Sequence, residues 1–290
     1  MTFSEGGSFE GGRVRTSRGR GAAIGGGIGG IVVLLGALLF GQDLGPLVNG
    51  LGGGGGAAQE GAVGDCTAEQ ANSDPLCRLA GASESLDVYW AGALPAVGVE
   101  YVQPGVVSFE QSVSTACGNA TSATGPFYCP PDQTVYLDLG FWDDLRDRFG
   151  AQGGPLAEMY VIAHEFGHHV QTITGVMEAA DRTQTGPDSD GVRIELMADC
   201  LAGMWAGDAS TTVDPETGIT YLEPITAEEL GQAISAAEAV GDDRIQEQAT
   251  GTVNPEAWTH GSAEQRRAWF TVGYDGASFQ DCNLLEGGAI

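Results

Sequence analysis

Three residues within one short stretch of this chain have the types and the spacing that metal chemistry requires. His164 and His168 lie four positions apart, so on an α-helix both imidazoles project from one face. Two rings placed in this way can bind a single Zn²⁺, each at about 2.0–2.1 Å. Glu165 is rotated by about 100° around the helix, where its carboxylate can take a proton from a water on the metal. The stretch therefore has the HExxH pattern of zinc hydrolases.

The surrounding residues predict the helix that this pattern requires. Apolar side chains recur at spacings of three and four from Leu156 to Ile173, which is typical of an amphipathic helix. Gly154 and Pro155 mark its start, and Gly175 stands where it would end. The motif is therefore expected in the middle of a helix.

A tetrahedral zinc with two histidines and a water lacks one protein ligand, and Glu195 is the best candidate. Glu195 and Asp199 lie four positions apart in a second predicted helix, at about residues 192–206, and share one face. The segment resembles the helix of thermolysin-like zincins in which such a Glu binds the metal and the Asp orients a histidine ligand. We predict these roles here. The alternatives are the opposite assignment, with Asp199 as the ligand, and ordinary acids that pair with Arg193 or are solvated.

Three further side chains are candidates for supporting roles. His260 is the only histidine outside the motif helix, and we predict that it stabilises the oxyanion of a tetrahedral intermediate, with a structural hydrogen bond as the alternative. Tyr160 lies one turn before His164 and is a lesser candidate for that role, while a plain core aromatic is the favoured interpretation. His169 points away from the metal and is expected to contact a backbone carbonyl or solvent.

Residues 134–139, upstream of the motif, alternate as a strand does and predict an edge strand. An edge strand can bind an extended peptide by adding it to the sheet. A purely structural strand is the alternative.

The first 65 residues differ in composition from the rest. Residues 1–20 hold four arginines in a Gly- and Ser-rich setting and predict a disordered cytoplasmic head. Residues 21–40 carry no charge and are long enough to span a bilayer, so they predict a transmembrane signal anchor; a cleaved signal peptide is the alternative. Residues 41–65 predict a Gly-rich linker. Small residues four apart in the anchor suggest anchor-mediated self-association.

Six cysteines follow this linker, and none precedes it. The even number indicates disulfides and an oxidising, extracytoplasmic location for a domain at residues 66–290. We predict the pairs Cys66–Cys77, Cys117–Cys129 and Cys200–Cys282, although the sequence leaves fifteen connectivities open. Reduced cysteines in a cytosolic protein are the alternative.

The chain has a net charge of −27 and contains no lysine. An acidic surface of this kind repels nucleic acid and anionic lipid. We therefore expect no nucleic acid partner and no domain lying flat on a membrane. The simplest interpretation of the charge is solubility.

Several segments resemble the putative neutral zinc metallopeptidase family of bacterial membrane-anchored proteins. They are residues 5–7, 13–14, 117–118, 125–130, 135–138, 164–169, 195–200, 241–246 and 259–262. The resemblance implies a Zn²⁺ cofactor and a peptide or protein substrate. We therefore expect an α+β, zincin-like and mainly helical metallopeptidase domain with a small sheet, preceded by one N-terminal transmembrane helix in the cell membrane.

The expected activity is that of a zinc-dependent metalloendopeptidase, with Glu165 as the general base. Two alternatives from the sequence are a zinc-stabilised surface binding domain without catalysis and a zinc amidase acting on cell-wall peptides. An intact general base argues against the first of these.

Overall fold

Helices form about half of the described structure, and a small sheet packs beside them. The computed structural model describes residues 3–18, 59–286 and 290. Its strands are β1 (Ser8–Phe9), β2 (Arg15–Arg18), β3 (Gln59–Ala62), β4 (Cys66–Thr67), β5 (Gly105–Glu110), β6 (Ser112–Thr115), β7 (Gly118–Thr121), β8 (Phe127–Cys129) and β9 (Thr134–Asp138). Its helices are α1 (Ala68–Ala71), α2 (Pro75–Ala93), α3 (Phe141–Asp147), α4 (Pro155–Ile173), α5 (Val176–Ala179), α6 (Asp190–Asp208), α7 (Ala227–Ala239), α8 (Asp242–Thr250), α9 (Ala263–Tyr274) and α10 (Phe279–Cys282). The predicted mainly helical α+β class with a small sheet is confirmed.

The main sheet has five strands in the order β3-β2-β5-β9-β8. β2 and β9 both pair in parallel with β5, whereas β3 and β8 pair antiparallel with β2 and β9. All five residues of β9 are buried, and the strand has a neighbour on each side. The prediction of an edge strand at residues 134–139 is therefore wrong. The edge position next to β9 belongs to β8, which is buried along its whole length.

The N-terminal residues belong to this fold. Phe3, Phe9 and Val14 are buried in the main core, and β2 lies between β3 and β5. Arg13 donates two hydrogen bonds to the carboxylate of Asp87 in α2, at 2.7 and 3.1 Å. The expected disorder of the head is therefore wrong for residues 3–18, because a few large apolar side chains and one strand pairing order a segment that is otherwise polar.

The predicted single-pass membrane localisation is also corrected. Arg18 of β2 lies opposite Gln59 of β3, so the ends of the described segments on either side of residues 19–58 are cross-strand neighbours. Within residues 3–18 and 59–286, we find no helix with the length and apolar character that a membrane span needs. The predicted anchor at residues 21–40 and most of the predicted linker lie outside the described residues.

Helix α4 contains the HExxH motif and has the predicted boundaries. Pro155 occupies its first turn, where a missing N–H costs nothing. Gly154 before it has a φ of 109°, and Gly175 after it adopts the left-handed conformation at a φ of 79°. From Leu156 to Gln171 only Glu158 is not fully buried. The helix is thus a central element of the core and holds its side chains rigidly.

Two close helix contacts build the rest of the site. A Cβ at Gly167 of α4 would lie 3.1 Å from Cα of Ala198 in α6, so glycine allows these two helices to touch. Helix α9 approaches α6 at Gly203 and Gly273, where added Cβ atoms would collide with the backbone carbonyls of Phe270 and Cys200. Glycine removes the steric barrier to such an approach. Helix α6 therefore packs closely on α4, which carries the motif, and on α9.

All three predicted disulfides are confirmed. Cys66 pairs with Cys77 and Cys117 pairs with Cys129, which closes two short loops of 11 and 12 residues. The third bond joins Cys200 in α6 to Cys282 in α10 across 82 residues. This last bond ties the C-terminal segment to the helix that carries Glu195 and Asp199.

Candidate metal centre and active site

Two helices bring together three side chains that could hold a metal ion, called the metal-binding group below. His164 and His168 project from α4, and Glu195 projects toward them from α6. Nε2 of His164 lies 3.2 Å from Oε2 of Glu195, and Nε2 of His168 lies 3.5 Å from its Oε1. The ligand-type atoms of the three residues all lie within 4.8 Å of one another. Asp199 is not in this group, so the alternative with Asp199 as the direct ligand finds no support in the geometry.

The arrangement fits a zinc ion. Ligand atoms at about 2.0–2.1 Å from a tetrahedral zinc are about 3.3–3.4 Å apart, and the two nitrogen-to-oxygen distances of 3.2 and 3.5 Å match this value. Oε1 of Glu195 is buried and has no hydrogen-bond partner among the described residues. A buried carboxylate oxygen without a partner is costly, and a metal ion at this point would satisfy it. Two histidines and one glutamate also form a familiar catalytic zinc set.

Asp199 lies behind His164, on the side away from Glu195. Its Oδ1 lies 2.9 Å from Nδ1 of His164, which fixes the orientation of the ring and directs Nε2 toward Glu195. Tyr160 donates a hydrogen bond of 2.5 Å to the same oxygen. Arg266 donates from Nε to Oδ2 at 2.9 Å and from Nη2 to Oδ1 at 3.0 Å. Although burial opposes ionisation, the Arg266 guanidinium and His164 lower the pKa of Asp199.

His168 is oriented by a different partner. Its Nδ1 lies 2.9 Å from Oε1 of Gln171, one turn further along α4. The side-chain nitrogen Nε2 of Gln171 donates in turn to the backbone carbonyl oxygen of Ile194 at 2.7 Å. Ile194 is the residue directly before Glu195. This short chain joins α4 to α6 at the level of the metal-binding residues. Each histidine of the motif therefore has a hydrogen-bonded partner behind it.

Glu165 and His260 line the same cavity as the three metal-binding residues. Burial raises the pKa of Glu165 to about 7, while the charge of His164 partly offsets the effect. A carboxylate whose pKa lies near neutrality suits a group that accepts and later returns a proton. The predicted proton acceptor is thus placed in the cavity beside the metal-binding group.

Asp242 positions His260. The carboxylate oxygen Oδ2 of Asp242 accepts hydrogen bonds from the backbone N–H groups of Thr259, His260 and Gly261, at 2.7, 2.6 and 3.1 Å. Its Oδ1 lies 3.3 Å from Nδ1 of His260, and Thr259 Oγ1 lies 2.8 Å from the same nitrogen. Burial favours the neutral ring, but the carboxylates of Glu195 and Asp242 raise the pKa of His260. With Nδ1 occupied, Nε2 is the nitrogen left for a substrate.

The two remaining sequence candidates have structural contacts. The hydroxyl of Tyr160 is bonded to Asp199 and accepts from Arg266 at 3.2 Å, so it belongs to the network behind His164. His169 donates from Nε2 to the carbonyl oxygen of Val102 at 2.6 Å and accepts from the hydroxyl of Tyr128 at Nδ1, at 3.1 Å. The expectation that His169 contacts a backbone carbonyl is confirmed.

Arg266, Gln171 and Asp242 contact the site although none of them was predicted as a site residue. Gln171 had a weak signal, because it follows His168 by three positions and so lies on the same helix face. Asp242 precedes His260 by 18 residues, and Arg266 lies 67 residues after Asp199. No local spacing marks either residue as part of the site.

Comparison with known proteins agrees with this geometry. A family described as putative neutral zinc metallopeptidase matches residues 2–285. Uncharacterized protein Rv2575 of Mycobacterium tuberculosis (strain H37Rv) is 48% identical over 219 residues, which are 76% of this chain and 73% of that protein. Uncharacterized protein YpfJ of Escherichia coli (strain K12) is 41% identical over 201 residues, or 68% of this chain and 66% of that protein. No solved structure matches the chain significantly.

Proposed function

The chain belongs to the putative neutral zinc metallopeptidase family, and from this premise we propose that it is a zinc-dependent endopeptidase. One observation carries the proposal: Glu165 lies in the cavity that holds the His164, His168 and Glu195 group. A purely structural zinc site is closed by its ligands and needs no proton acceptor. The proposed fold of this region is zincin-like, because two packed helices supply the HExxH pair and the third ligand.

His164, His168 and Glu195 would hold the zinc ion. The ion supplies Lewis-acid polarisation of the scissile carbonyl and activation of a water. Glu165 accepts a proton from the attacking water and passes it to the amine that leaves. His260 donates a hydrogen bond from Nε2 to the oxygen on which negative charge develops. Asp199 and Gln171 keep the two imidazoles oriented throughout.

Zinc content and peptide hydrolysis of the full chain test this proposal. The full chain is needed because residues 3–18 contribute β2 to the sheet. Wild type is expected to hold about one zinc and to cleave a mixture of unstructured peptides. Glu165→Gln should keep the zinc and lose at least about 100-fold in rate, whereas Glu195→Ala should lose the zinc. Glu178→Gln, at an exposed position of α5, is the matched control and should change neither quantity.

Two results would contradict the proposal. If wild type holds zinc but cleaves no peptide in the mixture, the alternative of a zinc-stabilised binding domain replaces it. If Glu165→Gln cleaves as fast as wild type, the assigned proton acceptor is wrong.

A further inference from the structure

One wall of the catalytic cavity is apolar and has no assigned role. Six of its residues are phenylalanine, valine or isoleucine: Phe127, Phe141, Phe149, Val161, Val240 and Ile245. They come from separate parts of the fold, namely β8, the start of α3 and the segment after it, α4, the residue that follows α7, and α8. The same cavity is also lined by the metal-binding group, Glu165, His260 and Arg266. We call the surface formed by these six residues the apolar recess.

The apolar recess is placed next to the reacting groups. Val161 precedes Glu165 by one turn on α4, so both side chains face the same space. Val240 and Ile245 flank Asp242, the residue that positions His260. The recess therefore belongs to the same cavity as the proton acceptor and the histidine proposed to bind the carbonyl oxygen. A substrate bond placed between Glu165 and His260 brings a neighbouring side chain of the substrate against this wall.

The recess offers no partner for a charged side chain. The charged residues that line the cavity are Glu165, Glu195 and Arg266, apart from the histidines. Glu195 faces the two imidazoles of the motif, and Arg266 is held by two hydrogen bonds to Asp199. A charged or strongly polar substrate group would lose its water here without a replacement. An apolar group would instead bury hydrocarbon surface against hydrocarbon walls.

The walls are also fixed in place. Phe127, Phe141, Phe149, Val161 and Ile245 are all buried. The rings of Phe141 and Phe149 lie 6.2 Å apart between centroids, so the start of α3 and the segment just after its end support each other. A recess formed in advance binds a matching side chain without a large ordering cost.

We infer that this recess selects substrates with a large apolar residue, such as leucine, isoleucine or phenylalanine, on one side of the scissile bond. The inference rests on the proposed peptide hydrolysis and deepens it by naming the substrate class. It predicts that kcat/KM for peptides with leucine or phenylalanine at that position exceeds the value for glycine or aspartate by at least about tenfold.

The test uses the zinc-loaded full chain and two sets of quenched fluorescent peptides. Each set varies one of the two positions flanking the cleaved bond among leucine, phenylalanine, glycine, aspartate and lysine. Val240→Asp should lower kcat/KM for the leucine and phenylalanine peptides about tenfold or more and shift the preference toward lysine. Val240→Phe, which narrows the recess without adding charge, should reduce cleavage of the phenylalanine peptide most. Val272→Asp is the matched control, because Val272 is exposed on α9 and lies outside the cavity.

A binding readout separates this inference from the proposed function. Glu165→Gln, loaded with zinc, should bind the leucine peptide at least about tenfold more tightly than the aspartate peptide by calorimetry, and adding Val240→Asp should remove the difference. If this preference is found but wild type cleaves nothing, the recess stands and the peptidase proposal falls. If wild type cleaves all peptides of both sets equally, or if both Val240 variants keep the wild-type preference, the recess has no part in selection and the inference is overturned.

Discussion

Replacing Arg266 tests whether the network behind His164 holds the metal centre together. Its guanidinium is buried and donates two hydrogen bonds to the buried carboxylate of Asp199 and one to Tyr160. Arg266→Met keeps the apolar stem but leaves the Asp199 carboxylate without its counter-charge. Removing one partner of a buried ion pair costs about 3–5 kcal/mol, so we expect the free energy of unfolding of the zinc-free protein to fall by that amount.

The adjacent arginine provides the matched control. Arg267 pairs with Glu238 at 3.4 Å, but the two side chains are 46% and 34% exposed. A solvent-exposed pair of this kind contributes at most about 1 kcal/mol. Arg267→Met should therefore change the free energy of unfolding little, although it removes the same chemical group from the same helix.

Urea denaturation of the zinc-free full chain measures both effects. A double-mutant cycle with Asp199→Asn should give a coupling energy of about 2–3 kcal/mol between positions 199 and 266. Competition with a chelator should show that Arg266→Met also weakens zinc binding about 10- to 100-fold, because His164 loses its fixed orientation. If Arg266→Met folds too poorly to measure, Arg266→Lys can replace it. Because lysine keeps the charge, the free energy of unfolding of this variant should lie between the values for wild type and for Arg266→Met. An equal loss of stability in Arg266→Met and Arg267→Met would refute the reasoning.

Three further predictions concern stability. Phe9→Ala should lower the free energy of unfolding by about 3–5 kcal/mol, because the ring is buried in the core; a change near zero in thermal denaturation would instead favour a disordered head. Burial raises the pKa of Glu84 to about 7, above its value in the unfolded chain. The folded protein therefore holds this proton more tightly than the unfolded chain does, and the free energy of unfolding falls as the pH rises from about 4.5 to 7. Glu84→Gln should accordingly be more stable than wild type at pH 8 by about 1–2 kcal/mol, a figure reduced for partial solvent access, and equally stable at pH 4 in urea titrations. Replacing Cys200 and Cys282 together by serine should lower the free energy of unfolding by about 4–5 kcal/mol, since their bond closes a loop of 82 residues. If a reducing agent left the unfolding of the wild-type protein unchanged, the result would contradict this.

The parts of the site that the sequence predicted depend on short-range geometry. His164, Glu165 and His168 fall on one turn of a helix whose apolar spacing and flanking glycines are visible in the sequence. Glu195 and Asp199 are also one turn apart, so recognising their helix was enough to place both carboxylates on one face. Which of them faces Nε2 of His164 and which faces Nδ1 depends on how α6 packs on α4, and only the structure shows that packing, at Gly167.

The features that sequence reasoning missed depend on pairings between distant residues. A composition of glycine, serine and arginine predicts disorder for residues 3–18, but β2 pairs with β5 across about 90 residues of chain, as Arg15 lies opposite Val107. Such a pairing leaves no mark in the local pattern. The alternation of β9 likewise shows that a strand forms, but not how many neighbours it has.

Arg266 shows how far the metal centre depends on packing outside its motif. Asp199 is completely buried, and a carboxylate in that position needs a counter-charge to remain ionised. The guanidinium can reach it only because α9 lies directly on α6, at a distance that Gly203 and Gly273 allow and any side chain would prevent. A helix with two histidines and a glutamate supplies two of the proposed ligands and the proposed proton acceptor, but it does not fix the direction in which the first imidazole points. In this chain that direction follows from a sequence of contacts that starts at two glycines and passes through Arg266 and Asp199 to His164.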